Sequence, residues 1–308
     1  MWVARYNGTG NLQDYATAIT VDDIGNVYVT GASSGVGPGN GDYTTIKYDP
    51  YGNELWVARY DGPGNGADYA KAIAIDPDGN ILVTGYSQGS GTKSDYATIK
   101  YDTSGNELWV ALYNGPDNLD DAANAIGMDS SGNIYVTGRS EFIYDPSLPT
   151  VFEDFVTIKY DPKGNELWRS HYQTYWASYY NTLGGGRALV LDTAGNVYVT
   201  GPGSQFGLSS GYFQASDYII IKYDLNGNDL WTVRYDAEMR DVPSALATDE
   251  AGNIYVTGFS GFTDAMIRFR NQYLTIKILS ANDSGGEDTG SNNNGGSHGT
   301  CFLDTISH

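Results

Sequence analysis

Short runs in which apolar and polar residues alternate follow one another along most of the chain. In one representative region these runs occupy positions 70–75, 80–85, 96–101 and 108–113. Alternation with a period of two residues is typical of β-strands. No stretch sustains the 3.6-residue apolar period of a helix over three turns. The pattern therefore predicts an all-β protein.

The set of four runs recurs five times with small variations. The consensus sequence of the repeat is Y-A-x-A-I-x-x-D-x-x-G-N-x-Y-V-T-G, then a variable loop, then D-Y-x-T-I-K-Y-D-x-x-G-N-E-L-W-V-A-R-Y. The tryptophan near the end of the fourth run marks the period, at Trp56, Trp109, Trp168 and Trp231. Self-similarity at such a spacing is typical of repeat architectures, so we expect one array of units and not two unrelated domains.

A short connector, Asp-x-x-Gly-Asn, joins the first run to the second and the third to the fourth. It occurs nine times, beginning at Asp22, Asp49, Asp76, Asp102, Asp129, Asp161, Asp192, Asp224 and Asp249. An aspartate that accepts backbone hydrogen bonds and a glycine with positive φ suit a type I turn followed by a bulge. The connector therefore predicts antiparallel hairpins. Calcium binding by Asp-x-Asp-Gly-Asn is a weaker alternative, since most copies lack oxygen ligands at alternate positions.

Four antiparallel strands per repeat predict the blades of a five-bladed β-propeller over residues 1–279. The expected blades are about 15–60, 69–113, 121–172, 185–235 and 244–279. The last copy lacks its fourth run, and the chain begins with one. We therefore expect a strand at residues 2–6 to complete the last blade and close the ring. An open solenoid or a fragment of a larger ring are the alternatives.

Side chains that recur in every copy are predicted to belong to the scaffold. The tryptophans of the fourth run are expected to pack between blades. The lysines of the third run are expected to pair with neighbouring acids such as Glu54, Glu107 and Glu166. They are Lys47, Lys100, Lys159, Lys222 and Lys277.

The run Y-V-T-G…D-Y-x-T-I-K-Y-D-x-x-G-N-E-L-W resembles the SBBP repeat, a β-propeller repeat of bacterial secreted and surface proteins. The resemblance extends over about residues 1–279. It implies a propeller fold and an extracellular setting. It implies no activity, because the family carries no catalytic motif.

The chain changes character after residue 279. Residues 280–299 are rich in Gly, Ser, Asn and Asp, which predicts a flexible linker. Residues 300–308 form a short apolar segment that resembles the C-terminal CFI box of some bacterial surface proteins. Its residues Cys301, Phe302, Leu303 and Ile306 are candidates for self-association, by adding a strand to a neighbouring subunit.

The chain of 308 residues carries a formal net charge of −20. This charge argues against nucleic acid and anionic membrane surfaces as partners. No apolar stretch approaches the length of a membrane helix, so no membrane insertion is expected. A single cysteine excludes an internal disulfide. No signal peptide is apparent in this chain, which leaves a removed leader or a cytoplasmic protein as alternatives; the resemblance favours a secreted or cell-surface protein.

Candidate ligand-binding residues lie in the long, variable loops of the third to fifth repeats, because variable loops on a rigid scaffold commonly carry function. Aromatic rings suit the apolar faces of sugars, and both aromatic residues and arginine are enriched in interfaces. The candidates are Tyr175, Trp176, Tyr179, Tyr180, Phe213, Arg268 and Arg270. Phe142, Tyr144 and Phe152 lie in nearby loops. The alternative is that these aromatics form small cores of their own within the loops.

Aspartates precede the first and third strands of most repeats and should lie around the loop face. They are Asp14, Asp68, Asp121, Asp241, Asp42, Asp95, Asp154 and Asp217. They are expected to cap strand starts, with cation binding or paired glycosidase carboxylates as the alternatives. The three histidines, His171 among them, offer no catalytic triad or transition-metal cluster.

The main prediction is a non-enzymatic extracellular module that binds a glycan or a surface protein, with no cofactor. One alternative is a structural subunit of a surface assembly or fibre, linked through the C-terminal segment. The other alternative is a carbohydrate-active enzyme that uses the aspartates.

Overall fold

The computed structural model describes residues 1–35, 41–145, 147, 151–177, 184–203, 216–236, 240–263, 269–279 and 303–304. Twenty strands form five antiparallel sheets of four, and these ranges contain no helix, which confirms the all-β prediction. Accordingly, no helix in them could span a membrane. The chain divides into two compact units, residues 1–186 and residues 187–308.

The first unit contains three sheets, each a meander in which consecutive strands are neighbours. The first sheet comprises β1 (Asp14–Val21), β2 (Val27–Ser34), β3 (Gly41–Tyr48) and β4 (Glu54–Tyr60). The second comprises β5 (Tyr69–Ile75), β6 (Ile81–Gln88), β7 (Ser94–Tyr101) and β8 (Glu107–Tyr113). The third comprises β9 (Asp121–Met128), β10 (Ile134–Ile143), β11 (Val151–Tyr160) and β12 (Glu166–Ala177).

The second unit contains the remaining two sheets, with the same meander order. The fourth sheet comprises β13 (Ala188–Leu191), β14 (Val197–Gly203), β15 (Asp217–Tyr223) and β16 (Asp229–Tyr235). The fifth comprises β17 (Asp241–Thr248), β18 (Ile254–Thr263), β19 (Phe269–Ile278) and β20 (Leu303–Asp304).

All nine Asp-x-x-Gly-Asn connectors form the predicted tight turns. In each, the aspartate carboxylate accepts a hydrogen bond from the backbone N–H of the asparagine four residues on, at 2.7–2.9 Å. The glycine has a φ between 79° and 87°, which is the left-handed region where other residues are strained. The asparagine amide donates to the second carboxylate oxygen, so the turn satisfies its own polar groups.

The two central strands of the second sheet, β6 and β7, bury both of their faces, and each face belongs to a different core. Ile81 and Val83 of β6 pack with Tyr28 of the first sheet. Leu82, between them in sequence, packs with Val136 of the third sheet. Because successive side chains of a strand point to opposite faces, one sheet serves as half of two cores. The fourth and fifth sheets share a third core of the same kind.

The repeated tryptophans and lysines link adjacent sheets at their turn ends. The indole Nε1 of Trp56 donates to the carbonyl of Thr103 in the second sheet at 3.1 Å. Trp109 makes the same bond to Pro162 in the third sheet, at 3.2 Å. Lys100 does pair with an acid, as predicted, but the acid is the turn residue Asp76, at 2.7 Å, and not one of the suggested glutamates.

The fifth sheet differs from the predicted closure. Its fourth strand is β20, where Leu303 pairs with Ile278 and Asp304 with Lys277. Residues 2–6 lie in no strand. The prediction that 2–6 completes the last sheet is therefore wrong in this structure, because the C-terminal segment provides backbone partners for β19 instead. Docking of this segment on a neighbouring subunit stays a prediction.

Replacing Lys100 with methionine should destabilise the protein by about 3 kcal/mol. The side chains of Lys100 and Asp76 are only 7% and 4% exposed, and removing the ammonium leaves a buried carboxylate with its turn hydrogen bonds but no opposite charge. Urea unfolding would measure the loss. Lys163→Met, at an exposed turn position, is the matched control and should change stability by about 0.5 kcal/mol or less. Equal stabilities of the two variants would contradict the proposed role of the buried pair.

Candidate functional site

A row of three polar side chains crosses the third sheet at the end opposite its tight turns. Ser140 of β10 lies directly opposite Asp121 of β9 on one side and Asp154 of β11 on the other. Residues that oppose each other across antiparallel strands project from the same face of the sheet. The register therefore places two carboxyl groups on one face, with a serine between them.

Related rows occur in the other sheets. Asp14, Ser33 and Asp42 are aligned in the first sheet, and Ser87 faces Asp95 in the second. In the fifth sheet Ser260 lies between Asp241 and Gln272, while in the fourth Gly203 faces Asp217. In the second sheet Asp68, just before β5, accepts a hydrogen bond from the same serine, Ser87, so the row is a feature of the repeat.

The aspartates before the first strands of the sheets act as caps, as predicted. Asp121 Oδ2 accepts a hydrogen bond from the backbone N–H of Gly115 at 2.6 Å. Asp68 accepts the same bond from Gly62 at 3.0 Å, and Asp14 from Gly8 at 3.0 Å. Each bond fixes the segment that leads into the first strand of its sheet, which gives these carboxylates a structural role.

One position on the fourth strand distinguishes the sheets chemically. In the first sheet it is Arg59, whose guanidinium contacts Asp42 Oδ2 at 2.8 Å and Ser33 Oγ at 3.1 Å. In the fourth sheet it is Arg234, which pairs with Asp217. The second and third sheets carry Leu112 and His171 here, as alignment of the repeats shows. Asp154 of the third sheet therefore has no arginine at the position from which Arg59 contacts Asp42 in the first sheet.

Burial raises the pKa of both carboxyl groups in the row of the third sheet. Burial raises the pKa of Asp154 to about 7, against the smaller opposing effect of the Thr174 backbone N–H. Burial also raises the pKa of Asp121 to about 7, although Ser140 and Gly115 donate to it. Asp121 is fully buried, whereas Asp154 is partly exposed, so Asp154 is the carboxyl that a ligand can reach.

His171 lies on the same face as Asp154. It pairs with Val156, two residues beyond Asp154 on β11, which makes His171 and Asp154 diagonal neighbours. The Cα atoms of diagonal neighbours lie about 7–8 Å apart. Desolvation, followed by the charge of Arg169, lowers the pKa of His171. Near neutral pH the site therefore holds a largely neutral imidazole beside a carboxyl that is partly protonated.

Tyr113, from the second sheet, connects these groups. Its ring packs edge-on against His171 with centroids 6.2 Å apart. Its hydroxyl lies 3.4 Å from Ser140 Oγ. Tyr113 thereby holds the imidazole and the serine at the boundary between the second and third sheets.

An aromatic cluster lies next to Asp154 on the same face. Phe142 and Phe152 pair across β10 and β11 with ring centroids 5.7 Å apart. Tyr144 packs on Phe152 at 6.3 Å and is 58% exposed. The predicted alternative of a small aromatic core is partly realised, yet the exposed tyrosine still offers a ring surface to solvent.

The binding and self-association roles of the other candidate residues stay predictions. Tyr175 and Trp176 belong to β12, where Trp176 pairs with Glu153, and Arg270 pairs with Phe262 in the fifth sheet. Leu303 belongs to β20. The following lie outside the described residues: Tyr179, Tyr180, Phe213, Arg268, Cys301, Phe302 and Ile306.

Sequence reasoning missed the roles of Ser140 and His171. The signal was present in the repeats, since His171 occupies the position of Arg59 and Arg234. A titratable histidine, where the first and fourth sheets carry arginine and the second carries leucine, marks the third sheet as different. Identifying the partner carboxylate required the strand register.

Comparison with known proteins confirms the predicted repeat. A model of the SBBP family, described as a β-propeller repeat, matches residues 56–91 and 108–145. No curated protein matches the chain.

Several solved structures are similar to this chain. A Dyadobacter fermentans protein of unknown function is 11% identical with a TM-score of 0.48, and the match covers 88% of this chain and 84% of that one. A Penicillium chrysogenum α-L-arabinanase is 13% identical with a TM-score of 0.49, over 83% and 79%. A polysaccharide lyase described as an ulvan lyase is 13% identical with a TM-score of 0.48, over 84% and 66%.

The prediction of a non-enzymatic binding or adhesion module is corrected by this comparison, because the matching structures include an arabinanase and a polysaccharide lyase. We do not retain that interpretation. At these identities the likeness concerns the fold, so an activity has to be argued from the side chains of this chain.

Replacing His171 with arginine should reproduce the first-sheet arrangement in the third sheet. A guanidinium beside Asp154 should lower the pKa of that carboxyl by about 1–3 units from its value of about 7. Carbon-detected NMR titration of the aspartate carboxyls would measure the change. Leu112→Arg, at the same position of the second sheet, is the control and should leave Asp154 at about 7. An unchanged Asp154 pKa in His171→Arg would contradict the inferred proximity.

Proposed function

We propose that this protein is a carbohydrate-active enzyme whose acid–base pair is Asp154 and His171. The observation that carries the proposal is the cross-strand register, which places Asp154 and His171 as diagonal neighbours on one face of the third sheet. The pKa of Asp154 is raised to about 7, while that of His171 is lowered. Environments that displace two titratable groups in this way prepare one as an acid and the other as a base.

The pair suits cleavage of a glycosidic bond by water. Protonated Asp154 donates its proton to the departing glycosidic oxygen as the bond from the anomeric carbon breaks. Neutral His171 accepts a proton from the water that forms the new bond to that carbon. The resulting carboxylate and imidazolium then exchange protons with solvent. Diagonal cross-strand neighbours have Cα atoms about 7–8 Å apart, so both side chains can reach one sugar bound on this face of the sheet.

The neighbouring aromatic cluster supports a glycan as the substrate. Tyr144 and Phe152 lie beyond Asp154 on the same side of the sheet, and aromatic rings pack well against the apolar faces of sugars. The proposal includes a secreted or cell-surface location, which the repeat resemblance and the charge of −20 both favour.

We also propose that the five sheets are the five blades of a closed propeller. Trp2 supports this arrangement, because its Nε1 donates to the Pro50 carbonyl at 3.1 Å. Trp56 makes the equivalent bond to the second sheet. Residues 1–6 thus contact the first sheet as the fourth strand of a preceding blade would, without pairing as a strand.

Asp154→Asn and His171→Gln should each reduce kcat/KM by about 100-fold or more, because each removes one partner of the acid–base pair. Activity would be measured as release of reducing ends from a panel of neutral and acidic polysaccharides. The pH profile of the wild-type protein should fall above pH about 7 as Asp154 ionises, and at acid pH as His171 is protonated.

Asp95→Asn is the matched control, since Asp95 occupies the position of Asp154 in the second sheet, and it should retain activity. The proposal fails if no polysaccharide is cleaved, or if the Asp154 and His171 variants are as active as the control.

A closed ring should give a radius of gyration near 19 Å in small-angle X-ray scattering, the value for a compact chain of this length. The five sheets in an open row would scatter as a distinctly longer particle. A radius of gyration well above that of a compact chain would rule out closure.

A further inference from the structure

The fourth strand of the third sheet carries an arginine where the first, second and fourth sheets have uncharged residues. Arg169 of β12 occupies the position of Val57, Val110 and Thr232, and each of the four faces an isoleucine of the third strand. Arg169 and His171 are two residues apart on one strand, so they project from the same face with Cα atoms roughly 7 Å apart. The third sheet therefore departs from the repeat at two neighbouring positions of the candidate site.

The boundary between the first and second sheets shows that apolar residues serve at these positions. There Tyr60 and Val110 pack against one core, and Leu112 follows Val110 on the same face. At the next boundary the counterpart of Tyr60 is Tyr113, which meets an arginine and a histidine instead. Packing of the sheets alone does not require charged side chains at these positions, so their presence calls for another explanation.

The contacts of Arg169 connect it to the candidate base. Its guanidinium carbon lies 4.5 Å from the centre of the Tyr113 ring, within the range of a cation–π interaction. The same ring packs edge-on against His171, with centroids 6.2 Å apart. Arg169 therefore acts on the aromatic side chain that contacts the imidazole.

Glu166 holds the guanidinium in place. Nη2 of Arg169 donates to both carboxylate oxygens of Glu166, at 3.0 and 2.8 Å, and Nε donates to Oε1 at 3.2 Å. Multiple contacts between a guanidinium and a carboxylate fix its orientation as well as its distance. Acids recur at the position of Glu166, as Glu54 and Glu107 show, whereas the arginine does not recur. The third sheet thus adds one positive charge beside a negative charge of the repeat.

Several titratable groups surround His171 and act on it in different directions. Desolvation and then the charge of Arg169 lower the pKa of His171, whereas the charge of Glu166 raises it. The groups that share its face or pack against it are Arg169 and Glu166 on β12, Asp154 and Tyr160 on β11, Tyr113 on β8 and Asp121 on β9. Of these groups Arg169 is the one cation, so it opposes the carboxylates around the imidazole.

We propose that Arg169 is a positioning residue of the candidate site, which holds Tyr113 against His171 and keeps a positive charge beside the imidazole. A nearby positive charge disfavours the imidazolium, and the neutral imidazole is the form that can accept a proton from water. The catalytic consequence rests on the proposed function. The electrostatic coupling of Arg169 to His171 does not, and it can be measured without an activity assay.

NMR titration of the imidazoles in the full-length chain tests this coupling, with the His171 signal identified by its loss in His171→Gln. Arg169→Val should raise the pKa of His171 by roughly 0.5 unit, as expected for unit charges about 7 Å apart in largely aqueous surroundings. Valine is the residue of the second sheet at this position, so the sheets should still pack. Glu166→Gln should lower the same pKa by a similar amount.

Two further variants separate charge from structure. Arg169→Lys keeps the charge and should leave the pKa of His171 within roughly 0.2 unit of the wild-type value. Glu107→Gln, at the position of Glu166 in the second sheet, is the matched control and should leave it unchanged. A purely structural role would not move the pKa in opposite directions in Arg169→Val and Glu166→Gln. A pKa of His171 that stays constant in both variants, or moves the same way in both, overturns the proposal.

The pH profile of kcat/KM gives a second readout. Its acid limb should move to higher pH in Arg169→Val and to lower pH in Glu166→Gln, following the pKa of His171. A protein that cleaves no polysaccharide yet shows the two opposite pKa changes refutes the proposed function and supports the coupling. An active protein without these changes refutes the role of Arg169 and leaves the acid–base pair intact.

Discussion

A sheet that is apolar on both faces requires a neighbour on each side, and the architecture of this protein follows from that requirement. In β6, Ile81 and Val83 face one neighbouring sheet while Leu82 faces the other. Neither core can form from one sheet alone. Stability therefore comes from stacking successive copies of the repeat, which is why nearly the same strand sequences recur along the chain.

The tight turns and the opposite ends of the sheets obey different constraints. Each Asp-x-x-Gly-Asn turn satisfies its polar groups internally, and Trp56 and Trp109 fix such turns to the preceding sheet. The sequence at the turn end of the sheets can therefore vary little. At the opposite end, β10, β11 and β12 extend beyond the corresponding strands of the first two sheets. Differences between repeats accumulate there without disturbing the cores, and the candidate site lies there.

The strands, hairpins and turns could be predicted because their causes are local in sequence: two-residue alternation, aspartate at the start of a turn and glycine with positive φ. The fourth strand of the fifth sheet could not, since the repeat pattern favours residues 2–6, whereas residues 303–304, which pair with β19, do not match the repeat. The Asp154–His171 pair was missed for a similar reason. Which side chains meet depends on cross-strand register, which residue type alone does not reveal.

Carboxylates recur at the loop ends of the sheets, and each sheet compensates their charge differently. Arg59 neutralises Asp42 in the first sheet, and Arg234 pairs with Asp217 in the fourth. In the third sheet the equivalent position holds His171, which is too short and too weakly basic to do the same, so burial raises the pKa of Asp154 to about 7. A carboxylate that is fully neutralised contributes to the scaffold. One that is incompletely neutralised can bind a proton or a cation at neutral pH, so departures from the repeated charge pattern are where chemistry is to be expected in this protein.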